Sequence, residues 1–196
     1  MQINKFEWSR QLFHIFLGIA IAALLMYGLI DKKIILVIIL IGLILSYLSR
    51  KAKIPVVHQL LQKFERKEEF RKFPGKGIIF YLIGVFASLL FFPKDIAMAS
   101  IMVLALGDSV SHIYGLHYGK IKHPLSRTKF LEGTIAGFIA GFAGALVFVR
   151  PLEAFLAAFT AMLVESIEIK IRNEQVDDNL IVPLVAGAVV WLVRLL

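Results

Sequence analysis

Apolar residues gather in seven runs, at 12–30, 34–48, 78–92, 96–114, 130–149, 152–169 and 180–195, each bounded by charged or turn-forming positions. Each run predicts a membrane-spanning helix, because backbone groups in hydrocarbon must pair within their own segment. Several runs are nearer 15 than 20 residues, which predicts helices extending past the apolar stretch or a locally thinned bilayer. Six spans result instead if one short run is re-entrant. Between the second and third runs the period changes. Pro55 can start a helix, and Val57, Leu60, Leu61 and Phe64 then share one face, with Gln62, Lys63, Arg66 and Lys67 opposite. That pattern predicts an amphipathic helix over 55–73 in the membrane interface, with a solvated linker as the alternative and Phe70 and Phe73 as anchors. In the fifth run Gly133, Gly137, Gly141 and Gly144 form a small-residue stripe that favours close helix packing.

Composition agrees with the pattern. Hydrophobic residues make up 59% of the 196 and charged residues 18%, and mean hydropathy is +0.80. A soluble domain is nearer 45–50% apolar. The fold class expected is all-α, a polytopic integral membrane protein of about seven spans plus the interfacial helix, forming a single domain over 1–196. No small-residue cleavage site comes after Ile30, so the first run reads as an uncleaved span. There is no cysteine, which excludes thiol catalysis and thiolate metal sites. The net charge of +8 would suggest nucleic acid in a soluble chain. Here its distribution explains it. Seventeen of the 22 Lys and Arg fall at the N-terminus and in 50–76, 120–129 and 170–172, against five on the other side. By the positive-inside rule the N-terminus faces the cytoplasm and nucleic acid is not a partner.

Ionisable residues within spans are costly and usually functional. Asp108 and Glu165 lie at similar depth, roughly 10 Å below the cytoplasmic edge of a core about 30 Å thick. Glu132 opens the fifth run, Asp177, Asp178 and Asn179 open the seventh, and Glu7 and His14 flank or enter the first, all on that side. Only Asp31, Asp95 and Glu153 fall outside. Gathered carboxylates repel one another unless a cation joins them, and oxygen ligands suit Mg²⁺ bridging to phosphate. The loop 119–129 adds Lys120, Lys122, Ser126, Arg127, Thr128 and Lys129, a cradle for phosphate. Together these are the parts needed for phosphoryl or nucleotidyl transfer at a membrane surface. Simpler roles stay open: helix packing for Asp108, an ion pair of Glu165 with Lys170 or Arg172, and helix capping for Asp177 and Asp178. The string GLHYGK (115–120) lacks the spacing and the hydroxyl residue of a phosphate-binding Walker loop and is rejected. His112, one turn beyond Asp108, is expected to orient it.

The segments GDSVSHIYGLHYGKIKHPLSRTKFLEGT (107–134) and ESIEIKIRNEQVDDNLIVPL (165–184) resemble the CTP-dependent lipid-alcohol kinases. That group contains dolichol kinase, phytol kinase and the yeast-type CTP-dependent diacylglycerol kinase, and is distantly similar to phosphatidate cytidylyltransferases. Glu7, Arg10, His14 and Gly18 resemble the family's opening E-x-x-R-K-x-x-H, and FERKEEFR (64–71) is similar too. The resemblance implies that 120–132 bind CTP, and that Asp108, Glu132, Asp177 and Asp178, with Glu165 nearby, hold Mg²⁺–CTP. It further implies transfer of the γ-phosphate to the hydroxyl of a membrane lipid alcohol (polyprenol or dolichol, a phytol-like isoprenol, or diacylglycerol), with Asp108 orienting or deprotonating that hydroxyl. His14 and Asn179 are expected to bind substrate. Because a long tail cannot leave the bilayer cheaply, the hydroxyl should arrive through a gap bordered by His14 and the helix over 55–73. Formation of a CDP-lipid, or ion or proton transport by the buried acids, are the alternatives. Gln11, Ser111 and Phe130 depart from the family's usual Lys, Ala and hydroxyl residue.

Overall fold

The computed structural model describes residues 5–51, 59, 61, 70, 72–167, 170–171 and 174–196. Helix α1 (Lys5–Met26) ends at Gly28, whose φ of 70° opens the turn into α2 (Lys32–Lys51). Helices α3 (Lys76–Phe91) and α4 (Lys94–Met102) come next. A π-helical segment, Val103–Asp108, then joins α4 to α5 (Ser109–Tyr118) in one rod of 25 residues. After a loop come α6 (Leu131–Ala145) and α7 (Pro151–Glu165), a two-residue antiparallel ladder of β1 (Lys170–Ile171) and β2 (Glu174–Gln175), and α8 (Asp178–Leu195). Most of the amphipathic helix expected over 55–73 lies outside the described residues, as does Arg172.

The architecture is helical, as expected, but among the described residues four helices rather than seven are long and apolar enough to cross a membrane: Phe6–Met26, Lys32–Lys51, Lys94–Tyr118 and Asp178–Leu195. Helices α3, α6 and α7 have 16, 15 and 15 residues. At 1.5 Å per residue they reach roughly 24 Å, short of a 30 Å hydrocarbon core. The runs at 130–149 and 152–169 are longer than their helices because apolar residues continue past the helix ends. Thus 146–150 is a turn before Pro151, and the helical hydrogen bonding of α7 stops near Ser166.

The rod from α4 to α5 is the centre of the bundle. Its apolar window is 72% buried, against 17% for α2, whose Val37, Ile41 and Ile44 are exposed as a lipid-facing helix requires. Around the rod pack Tyr81 and Val85 of α3, Ala157, Ala161 and Met162 of α7, and Val182, Ala186 and Val190 of α8, all buried. Helix α6 approaches closely through its glycines: a Cβ on Gly137 would stand 2.6 Å from the Gly107 carbonyl oxygen, so only glycine fits. At the far end Arg194 pairs with Asp95 (2.7 Å) and, in bidentate fashion, with Glu153 (3.0 and 3.1 Å). This clamp ties α4, α7 and α8 together and consumes two of the three acids expected outside. The third, Asp31, accepts from the Lys33 and Ile34 amides at the start of α2 (both 3.0 Å), and the carboxylates of Asp108, Glu165 and Asp178 gather at the opposite end.

Candidate active site

At that opposite end the starts of α1, α3 and α8 meet the end of α7 and the π-segment, around a cavity of 520 Å³. Asp108, the last π-helical residue, Glu165, the last of α7, and Asp178, the first of α8, point into it. One carboxylate oxygen from each lies within 4.8 Å of those from the other two. The cation that makes this tolerable comes from the loop before α6. Lys129 Nζ donates to Glu165 Oε1 (2.5 Å), to Asp178 Oδ2 (3.2 Å) and to the backbone carbonyl of Glu165. Burial alone would pull this ammonium down, but Glu165 and Asp178 outweigh it and hold its pKa above the ordinary lysine value. Lys129 was expected on phosphate; its role as counter-ion to the triad is not legible in the sequence, because nothing in the spacing brings 129 to 165 and 178.

The loop that carries Lys129 is closed by its own hydrogen bonds. Residues 122 and 130 form an antiparallel bridge, and Leu131 N–H donates to the Ile121 carbonyl (2.9 Å). His123 is buried; its N–H donates to the Lys129 carbonyl (3.1 Å), and its Nδ1 accepts from Leu125 N–H (3.2 Å). Burial, with Lys129 nearby, lowers its pKa, so the neutral ring that accepts is favoured. The Ser126 hydroxyl accepts from the amides of Thr128 and Lys129, both at 3.1 Å. Ser126, expected in the phosphate cradle, shapes the loop through these bonds.

The structure separates the remaining loop candidates. Thr128 and Lys129 line the cavity. Lys120 and Arg127 are exposed, and Lys122 stacks its ammonium over the Phe130 ring at 4.0 Å. Glu132, expected to join the metal ligands, turns back to accept from the Lys120 and Ile121 amides, both at 3.1 Å. It lies at the first turn of α6, where its carboxylate satisfies loop donors rather than joining the triad. Asp177 lines the cavity as the N-cap of α8, accepting from Asn179 N–H (3.2 Å) and Nδ2 (2.8 Å), with Lys76 Nζ at 3.8 Å.

Helix α1 forms the facing wall. His14 lines the cavity, buried, with its ring edge-on to Tyr81 at 5.1 Å; the Tyr81 hydroxyl donates to the His14 carbonyl (3.3 Å). His112 does not orient Asp108 as expected: its Nε2 sits 3.1 Å from Glu7, which also holds Arg10 at 2.9 Å. Several buried polar atoms of cavity-lining residues have no hydrogen-bond partner: Arg10 Nε, Gln11 Oε1, Glu165 Oε2 and Asn179 Oδ1. Because Asn179 Nδ2 is committed to Asp177, its free atom is an acceptor. In the sequence Gln11 stands out only as a departure from the family pattern.

Among the described residues, Asp108, Glu165 and Asp178 form the group suited to a metal. The set is all oxygen, it is partly buried, and Glu165 Oε2 lacks a partner, so a hard divalent cation such as Mg²⁺ fits its chemistry.

Known proteins share this sequence pattern. The chain is 31% identical over 188 residues to the uncharacterized protein MJ1137 of Methanocaldococcus jannaschii, covering 94% of this chain and 92% of that one. It is 28% identical over 151 residues to CTP-dependent diacylglycerol kinase 1 of Saccharomyces cerevisiae (74% of this chain, 51% of the kinase). It is 31% identical over 126 residues to the chloroplastic phytol kinase 1 of Arabidopsis thaliana (56% and 40%). The matches thus span about half the length of these two kinases. No family profile matches the chain, and no solved structure does.

Proposed function

We propose, because the chain belongs to the CTP-dependent lipid-alcohol kinase family, that it transfers the γ-phosphate of CTP to the hydroxyl of a membrane lipid alcohol. The observation that carries this reading is the acid triad facing Lys129 in a cavity at the helix ends, where water-borne phosphate and a bilayer-borne hydroxyl can meet. Asp108, Glu165 and Asp178 would hold Mg²⁺, which supplies neutralisation of phosphate charge when bound. Thr128 and Lys129 contact the phosphates. Asp108 orients the lipid hydroxyl or takes its proton; the hydroxyl oxygen bonds to the γ-phosphorus, the β–γ bridge breaks, and CDP leaves. Phe13, Ile78 and Leu116 line the same cavity and give the tail an apolar wall, with His14 beside them.

In this reading the three shorter helices also cross the bilayer, locally thinned, giving seven spans. The N-terminus and the site face the cytoplasm, where CTP and Mg²⁺ are available. Polyprenols, phytol-like isoprenols and diacylglycerol are the acceptor classes.

The test is turnover of γ-labelled CTP by the purified chain against a panel of these alcohols. Labelled lipid phosphate with CDP is the expected outcome. Pyrophosphate with a CDP-lipid would make it a cytidylyltransferase, and ion flux in liposomes without nucleotide turnover would make it a transporter.

A further inference from the structure

Lys129 engages two of the three carboxylates suited to a metal ion, those of Glu165 and Asp178. An ammonium has three N–H donors, and those of Lys129 meet the Glu165 carboxylate, the Glu165 carbonyl and the Asp178 carboxylate. None is left for phosphate. At metal–oxygen distances of about 2.1 Å a divalent ion held by the triad would compete with the ammonium for the Glu165 and Asp178 carboxylates. The triad still has capacity, since Glu165 Oε2 is buried without a partner, and the cavity beside it is lined by the equally buried, unpartnered Gln11 Oε1.

We propose that Lys129 is an internal place-holder cation that a divalent ion displaces, and that its release makes metal and polyphosphate binding mutually dependent. This rests on the kinase reading above and adds to it an order of events. The loop backbone is pinned on both sides of the side chain: the Lys129 N–H donates to Ser126 and its carbonyl accepts from His123. Only the side chain can swing. A metal arriving alone costs the ammonium its carboxylate partners and gives it no new ones, so it binds weakly. A metal arriving with phosphate gives the ammonium oxygen acceptors on the cavity side, next to Thr128, so both bind well. The coupling is reciprocal by thermodynamic necessity. In the metal-free state the ammonium offsets one of the triad's negative charges.

Mn²⁺ titration of the detergent-purified chain, read from the spin signal of the free ion and corrected by a protein-free control for the Mn²⁺ that the polyphosphate itself binds, tests this. In the unmodified protein a non-hydrolysable CTP analogue should raise Mn²⁺ affinity at least about tenfold, within the usual range of coupling between sites. Lys129→Met should bind Mn²⁺ alone about tenfold more tightly than the unmodified protein, with the coupling reduced to roughly twofold or less. Unchanged or weaker Mn²⁺ binding in Lys129→Met overturns the proposal. So does an unmodified protein in which the analogue leaves Mn²⁺ affinity unaltered, a measurement that needs no variant to fold. Tripolyphosphate in place of the analogue should give the same coupling whether or not any lipid is phosphorylated. Failure of the kinase reading would then leave the coupling intact, whereas CDP formation without coupling would remove the place-holder alone.

Discussion

Replacing Ser126 by alanine removes one oxygen atom and withdraws the acceptor of two amides, those of Thr128 and Lys129, each at 3.1 Å. Both are loop residues that line the cavity. A net hydrogen bond is worth about 1 kcal/mol, so the native loop conformation loses about 2 kcal/mol relative to looser ones. Spread over binding, that is roughly thirtyfold in kcat/KM for the nucleotide. The loss should fall on KM, because the loop acts before chemistry, while the helical core and thermal midpoint stay nearly unchanged. Steady-state kinetics with labelled CTP at saturating lipid, beside a melting curve in detergent, reads both quantities. Ser126→Thr restores the hydroxyl and should recover most of the loss, which an unspecific packing defect would not permit. A KM within twofold of the unmodified protein, or a loss confined to kcat, would refute the assignment of Ser126 to loop organisation.

Asp108→Asn keeps the shape and removes the charge, so turnover should fall to background while the melting temperature shifts by only a few degrees; measurable kcat would take Asp108 out of the site. Arg194→Ala leaves the buried Glu153 without its guanidinium, and the clamp is partly exposed, so about 2 kcal/mol of stability should be lost with KM for CTP unaltered. His123 titrates below the ordinary histidine value because it is buried and near Lys129. Its neutral form is therefore favoured in the folded loop, the unfolded chain binds more protons, and loop stability declines as pH falls below about 6.5. His123→Asn should flatten the acid limb of CTP affinity below about pH 6.5; an unchanged limb would place its cause elsewhere.

Hydrophobic period and charge placement carry the fold far. The helices begin and end near the apolar runs, and Gly137 and its neighbours lie in the close seam with the rod, because small residues at that spacing have one efficient use in a helical bundle. Length is where the pattern fails: apolar residues continue through turns such as 146–150, so hydropathy overstates helices that backbone hydrogen bonds stop earlier. At the site, Asp108, Glu165 and Asp178 are legible because a carboxylate in an apolar run demands a partner. Glu132 misleads for the same reason in reverse. An acid at the first turn of a helix satisfies nearby amides just as readily, and sequence does not tell these uses apart. Basic residues of the loop look alike, yet only Lys129 reaches the acids, since reach depends on the closure of 122 against 130.

The π-segment explains how an acid so deep in the bundle avoids the core. In an unbroken α-helix Asp108 would share a face with Leu104 and Ala105, four and three residues earlier, both fully buried. A carboxylate there would have no partner and no water, a loss of several kcal/mol. One extra residue in the turn over Val103–Asp108 rotates the downstream part of the rod by roughly 100° relative to that face. The rod keeps its apolar upstream face against α7 and α8 and still delivers Asp108 to Glu165, Asp178 and Lys129. Gly107, directly before it, contributes no side chain, and a Cβ there would already press on Met162 at 3.1 and 3.2 Å, which lets α6 and α7 close over the irregular turn. Depth in the membrane and access to the cavity are thus reconciled by a local change of helical pitch. For that reason no regular period drawn through residues 94–118 places Asp108 correctly.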